Sequence, residues 1–87
     1  MAFINIGFGN IINSKKIVSM ITSDSAPAKR IVAKAKEQGN IIDATQGRRT
    51  RSVIICDYYV VLSALMPDTI ASRIGENTSK EDMDYDA

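Results

Sequence analysis

Three arginines, Arg48, Arg49 and Arg51, fall within four positions directly after Gly47, and an unbroken apolar run, Val53-Ile54-Ile55-Cys56, follows them. A guanidinium is planar, permanently charged and forked, which suits two-point hydrogen bonding to a phosphate or carboxylate. None of the three has an acid as an immediate neighbour in the chain, so they repel one another until a partner arrives. In an extended chain Arg49 and Arg51 share a face, while Arg48 points the other way or lies in the turn. Gly47 carries no side chain and lets an anion approach that turn closely. The chemistry on offer is anion binding, with a nucleic-acid backbone as one ligand. The plainer alternatives are solvated arginines, or pairing with Asp43, Asp57 or an acid on another subunit. No aromatic residue is interleaved with the arginines, which favours contact to a duplex backbone over base stacking on single strands.

The rest of the composition removes other classes. Histidine is absent and Cys56 is the single cysteine, so an intrachain disulfide is excluded and a structural zinc site is not expected. The commonest general base is missing, and a lone thiol lacks its usual activating partner, which argues against an enzyme; no metal or cofactor is expected. Cys56 reads as a buried, inert thiol suited to a reducing compartment. The opening "MAFINIGFGN" lacks a basic start and a long apolar stretch, and nothing approaches a membrane span. A cytoplasmic chain with no membrane or small-molecule partner is expected. At 87 residues it forms one domain with a thin core, and self-association is the remaining route to added stability.

A net charge of +1 conceals an asymmetry: residues 1–52 hold nine lysines and arginines against three acids, and residues 53–87 hold two against seven. Beyond Ile74 the segment "GENTSKEDMDYDA" has five acids, one lysine and no apolar period, so residues 75–87 read as a disordered acidic tail and residues 1–74 as the folded, basic body.

Elements that position the arginines follow from patterning. Strands are expected at residues 3–6 and 10–13, joined by a turn at Gly7-Phe8-Gly9-Asn10; its G-x-G is not followed by a helix start and reads as a hairpin, not a phosphate cradle. A third strand is expected over Lys15–Thr22, with Lys16, Val18 and Met20 on one face and Ile17, Ser19 and Ile21 on the other. A helix follows, with Ser25 as N-cap, Pro27 in its first turn and Gly39 as its stop. Ala28, Ile31, Val32 and Ala35 form its apolar stripe, and Lys29, Arg30, Lys34 and Lys36 its basic side, which either stays solvated or extends the arginine surface. Further strands are expected at Ile41–Thr45, Thr50–Cys56, buried on both faces, and Val60–Leu65, with a turn at Asp57-Tyr58-Tyr59. A terminal helix over Pro67–Ile74 ends at Gly75. The order β-β-β-α-β-β-β-α is an α+β layout.

"FINIGFGNII" at residues 3–12, "SAPAKRI" at 25–31, "IDATQGRRTR" at 42–51 and "VLSALMPDTIASRI" at 61–74 together resemble the RemA family of bacterial extracellular matrix regulators. The resemblance covers nearly the whole of residues 3–74. It implies a cytoplasmic, nucleoid-associated DNA-binding regulator that activates biofilm matrix genes in spore-forming bacteria. It also implies a closed homo-oligomeric ring, an octamer, that presents basic surface to duplex DNA. Arg48 and Arg49 stand at the family's paired DNA-contacting arginines, Lys16 replaces an arginine of functional weight, and Pro27 matches a functionally sensitive proline. The Tyr58-Tyr59 turn is less polar than the family's. Arg51 is the third expected DNA contact, and Lys29 and Arg30 extend the surface. No helix-turn-helix is present, so readout is expected to rest on backbone and DNA shape. The alternatives from other classes are a ring-forming scaffold with arginines in subunit interfaces, and an RNA-binding module.

Overall fold

The structure, a computed structural model, describes residues 3–75. At its start, β1 (Phe3–Asn5) and β2 (Ile11–Asn13) pair antiparallel, with Ile4 opposite Ile12. Ile4 is buried and Ile12 packs against the same cluster, while Phe3, Asn5 and Ile11 face out, as alternation requires. Lys15 and Lys16 do not continue into a strand. The Asn13 side chain accepts the Lys15 N–H at 3.0 Å, and a 3-10 turn forms over Ser14–Lys16. A short polar side chain here offers the backbone a better local bond than an edge strand does.

The chain then runs through β3 (Ile17–Thr22), α1 (Ala26–Gln38), β4 (Ile41–Asp43), β5 (Ser52–Cys56) and β6 (Val60–Ser63). A terminal helix, α2, covers 67–75 and takes in Gly75. This is an α+β domain with two helices. Residues 76–87, most of the segment expected to be a tail, lie outside the described residues.

Four strands form one sheet in the order β3-β5-β6-β4, antiparallel except for the parallel β4–β6 pair. β5 is central, and its neighbouring residues Val53 and Ile54 are both buried, on opposite faces. Ile54 packs with Ile4, Ile6, Ala44, Val61 and Ile70. Val53 packs with Ala28, Ala35, Val60 and Leu62. The sheet is thus a middle layer, with the β1–β2 hairpin and α2 on one side and α1 on the other. Cys56, at the end of β5, packs against the first of these clusters but is only half-buried; burial and the neighbouring Asp57 push its thiol above the ordinary range.

Strict alternation fails in β3. Ile17 opposes Cys56 and Ser19 opposes Ile55, leaving Val18 as an extra residue in a bulge. Ile17 and Met20 therefore reach the same core cluster although three positions apart, and Val18 is 68% exposed. Helix α1 follows its expected signals. Ser25 Oγ accepts the Ala28 N–H at 3.2 Å, Pro27 lies in the first turn, and Gly39 closes the helix at φ 73°.

Ser52 and Ser63 face each other across β5 and β6, and both are fully buried. Ser63 Oγ donates to Ile6 O at 2.8 Å and accepts the Leu65 N–H at 3.1 Å. Ser52 Oγ donates to Leu65 O. These bonds end β6 two residues earlier than its apolar run suggests. Buried groups left without partners cost about 1–3 kcal/mol. Ser63→Ala strands both Ile6 O and the Leu65 N–H and is expected to lower the urea midpoint more than Ser52→Ala, which strands Leu65 O alone; equilibrium unfolding of the two variants checks the ranking.

Candidate nucleic-acid interface

The loop that carries the arginines is built before they are reached. Asp43 Oδ1 accepts the Thr45 N–H at 2.9 Å and the Thr45 hydroxyl at 2.6 Å. Thr45 is buried, so this local bond turns the chain out of β4 at a fixed angle. Gln46 and Gly47 then both take positive φ, 53° and 77°, and the Arg48 N–H returns to Thr45 O at 3.0 Å. Two consecutive left-handed residues make a mirror-image turn, which Gly47 permits and Gln46 tolerates at some cost. No atom lies within 4 Å of where a Gly47 side chain would begin, so the outer side of the turn is open.

At the other end, the Arg51 N–H donates to Ser63 O at 2.9 Å and Arg51 O accepts the Ser23 N–H at 3.2 Å. The backbone is held at both ends while the Arg48, Arg49 and Arg51 side chains stay exposed. Among the described residues none of the three has a carboxylate partner. Asp43 is spent on Thr45, and Asp57 lies 3.7 Å from Lys16 Nζ.

A second turn completes the corner. Gly7, Phe8 and Gly9 all have positive φ, 109°, 55° and 78°, and the Asn10 N–H closes on Gly7 O at 3.0 Å. Asn10 Nδ2 donates to Gly7 O at 2.9 Å and reaches Ala44 O at 3.4 Å, tying this turn to the start of the arginine loop. Phe8 is thereby set beside Arg48, whose guanidinium carbon lies 5.9 Å from the ring centroid. Phe8, Arg48, Arg49 and Arg51 line an open cleft of about 350 Å³ with Ala64 and Leu65. The absence of aromatics near the arginines, true in the sequence, is corrected by the fold. The Gly-Phe-Gly triplet held that signal, since a bulky residue between glycines points to a forced turn.

The remaining expected residues divide. Lys29 lines a groove of about 370 Å³ with Ser23 and Thr50, at the arginine end of the sheet. Ser23 Oγ donates to Thr50 O at 2.7 Å, joining the entry of α1 to the arginine loop. Arg30 is exposed on α1, and Pro27 sits in the helix's first turn. Lys16 is elsewhere. Thr22 pairs with Ser52 beside Arg51, but Ile17 pairs with Cys56 at the other end of β5, so Lys16 lies roughly 13 Å or more along the sheet from the arginines of its own chain.

Asp43 has a measurable signature. The Thr45 hydroxyl and N–H hold its carboxyl below the ordinary range, Lys36 adds to this, and burial opposes it. A carboxylate with a lowered folded-state pKa stabilises above its unfolded value and loses that contribution as pH falls through the lowered one. Asp43→Ala is expected to melt below the native protein at neutral pH, with the gap closing on acidification through the carboxylate range; thermal melts across pH test this.

The RemA-like family, described as Extracellular matrix regulatory protein A-like, matches residues 3–74. A protein of Carboxydothermus hydrogenoformans named "Putative regulatory protein" is 51% identical over 81 residues, covering 92% of this chain and 93% of its own. Similarly named proteins of Halalkalibacterium halodurans and Clostridium botulinum are 51% and 49% identical, covering 97% and 92% of this chain and 94% and 89% of their own. The matched span contains both turns of the corner, the sheet and α1, and the chain belongs to the RemA-like family.

Proposed function

We propose that this protein is a DNA-binding transcriptional regulator, an activator of extracellular matrix genes, that grips duplex DNA through the arginine turn repeated around a homo-oligomeric ring. The observation that carries this is the set of three exposed guanidiniums without a carboxylate partner among the described residues, on a loop whose backbone is bonded at both ends. A fixed loop loses little backbone entropy on binding, and among the described residues no ion pair to these arginines has to break first. Phosphates supply the missing partner. Lys29 and Arg30 widen the basic face at the same end, while Lys16 belongs to a second contact zone at the opposite end of the sheet. A regulatory role agrees with the names carried by the relatives.

Repetition supplies the affinity. A few phosphate contacts per subunit bind weakly at physiological salt, and several corners acting together raise the effective affinity by about 10²–10⁴ when the spacing permits. The outer strands of the sheet support self-association. β3 and β4 each leave one edge without a strand partner among the described residues, and each exposes an apolar residue, Val18 or Ile42.

The test is Arg48→Ala/Arg49→Ala in the full chain, with DNA affinity read by gel shift and oligomer mass by light scattering. The expected outcome is loss of affinity at unchanged mass, together with a shallower dependence on salt, each lost phosphate contact removing about 0.9 from the slope. Unchanged affinity would overturn the proposal. A broken oligomer would instead put the arginines in subunit interfaces and make the protein a scaffold. Tighter binding to RNA than to duplex DNA would make it an RNA-binding module.

A further inference from the structure

Phe8 has a backbone conformation that a bulky L-residue rarely adopts, φ 55°, and it is 51% exposed. Neither is what a core phenylalanine requires. The conformation is imposed from several sides. Gly7 and Gly9 flank it at positive φ, the Gly7 N–H donates to Asn5 Oδ1 at 2.7 Å, and the Ile6 N–H donates to Asn10 O at 2.8 Å. Strain held in place by so many bonds, with an apolar ring turned to solvent as the result, marks a contact residue. Its surroundings state the ligand's chemistry: Arg48 stands over the ring, and Arg49 and Arg51 line the same cleft. A ligand must offer anionic groups to three guanidiniums and an apolar, flat or edge surface to one phenyl ring.

We propose that Phe8 is a wedge that lodges against a base step of duplex DNA, partly unstacking it, while Arg48, Arg49 and Arg51 hold the flanking phosphates. The proposal rests on the DNA-binding reading above and adds to it a residue and a mode of readout. Apolar wedges beside basic side chains unstack and kink a duplex, and they do so most cheaply at flexible pyrimidine–purine steps. A duplex is favoured over a single strand because, among the described residues, Phe8 alone brings an aromatic ring to the cleft. Tyr58 and Tyr59 follow Cys56 at the far end of β5, so no series of rings tracks successive bases. The ring also supplies what backbone contacts lack, a cost that depends on which step is deformed. Phe8 is therefore a source of sequence preference, and the arginines are the source of strength.

The decisive variant is Phe8→Asn in the full chain. Asparagine accepts positive φ far better than phenylalanine, so the turn is retained or strengthened while the ring is lost. The probe is a duplex of about 30 base pairs with 2-aminopurine at a central TA step and a donor–acceptor dye pair at its ends. Wild type is expected to raise the 2-aminopurine fluorescence and bring the ends together. Phe8→Asn is expected to abolish both signals and weaken binding about tenfold, with the salt slope, oligomer mass and melting temperature retained or, for the last, raised. Phe8→Trp is expected to keep the signals. A turn with only a structural role would instead lose melting temperature along with binding. If Phe8→Asn unstacks and bends the duplex as wild type does, the wedge is overturned while arginine-driven binding stands. A fall in oligomer mass would place Phe8 in a subunit interface, and wild-type preference for the single strand would make it a stacking platform; either overturns the wedge. If wild type binds no duplex at low salt, both proposals fall together.

Discussion

Two facing hydroxyls organise this molecule. Ser52 and Ser63 oppose each other at the arginine end of the two central strands with no access to solvent, where a polar group must find a partner inside the protein. Their bonds reach Ile6 O, Leu65 O and the Leu65 N–H, which fixes the chain that leaves β1 and the chain that leaves β6 to the same strand pair. Leu65 is then close enough to Gly7 that its Cγ would lie 3.6 Å from a Cβ added there. Arg51, next to Ser52, is bonded to Ser63 O by its own backbone. The Phe8 turn and the arginine loop therefore share one anchor.

Charge is arranged by the same economy. Acids that stand near the arginines in sequence are engaged locally, Asp43 by Thr45 and Asp57 by Lys16. The guanidiniums are left to solvent, where their repulsion is modest and screened by salt. Among the described residues no carboxylate therefore holds these donors. The cation above the Phe8 ring is consistent with this, since a contact to the ring face uses none of the guanidinium's hydrogen-bond donors.

Much was legible where one local cause dominates. Ser25, Pro27 and Gly39 delimit α1 because capping and left-handed stops are properties of a few adjacent residues. The run at β5 reads as doubly buried because Val53 and Ile54 allow no exposed face. Reading was less sure where two local causes compete. Lys15 and Lys16 fit a strand by composition, but Asn13 captures the backbone into a 3-10 turn. Val18 shares a face with Met20 by alternation until the bulge separates them and turns Val18 out.

By itself the sequence determined the α+β class, the apolar stripe of α1, the arginine turn and the family. Each of these is written in spacings of a few residues, and short-range sterics, hydrogen bonding and hydrophobic period decide them. Only the tertiary structure decided what stands beside what. It put Phe8 next to Arg48 across forty positions of chain, set Lys29 near Thr50, and carried Lys16 to the far end of the sheet. Those neighbourhoods depend on strand order and register, including the parallel β4–β6 pair, and on two buried serines whose hydroxyls donate to carbonyls remote in sequence. A serine's type does not name its partner. Burial does, by leaving the hydroxyl no water to bond.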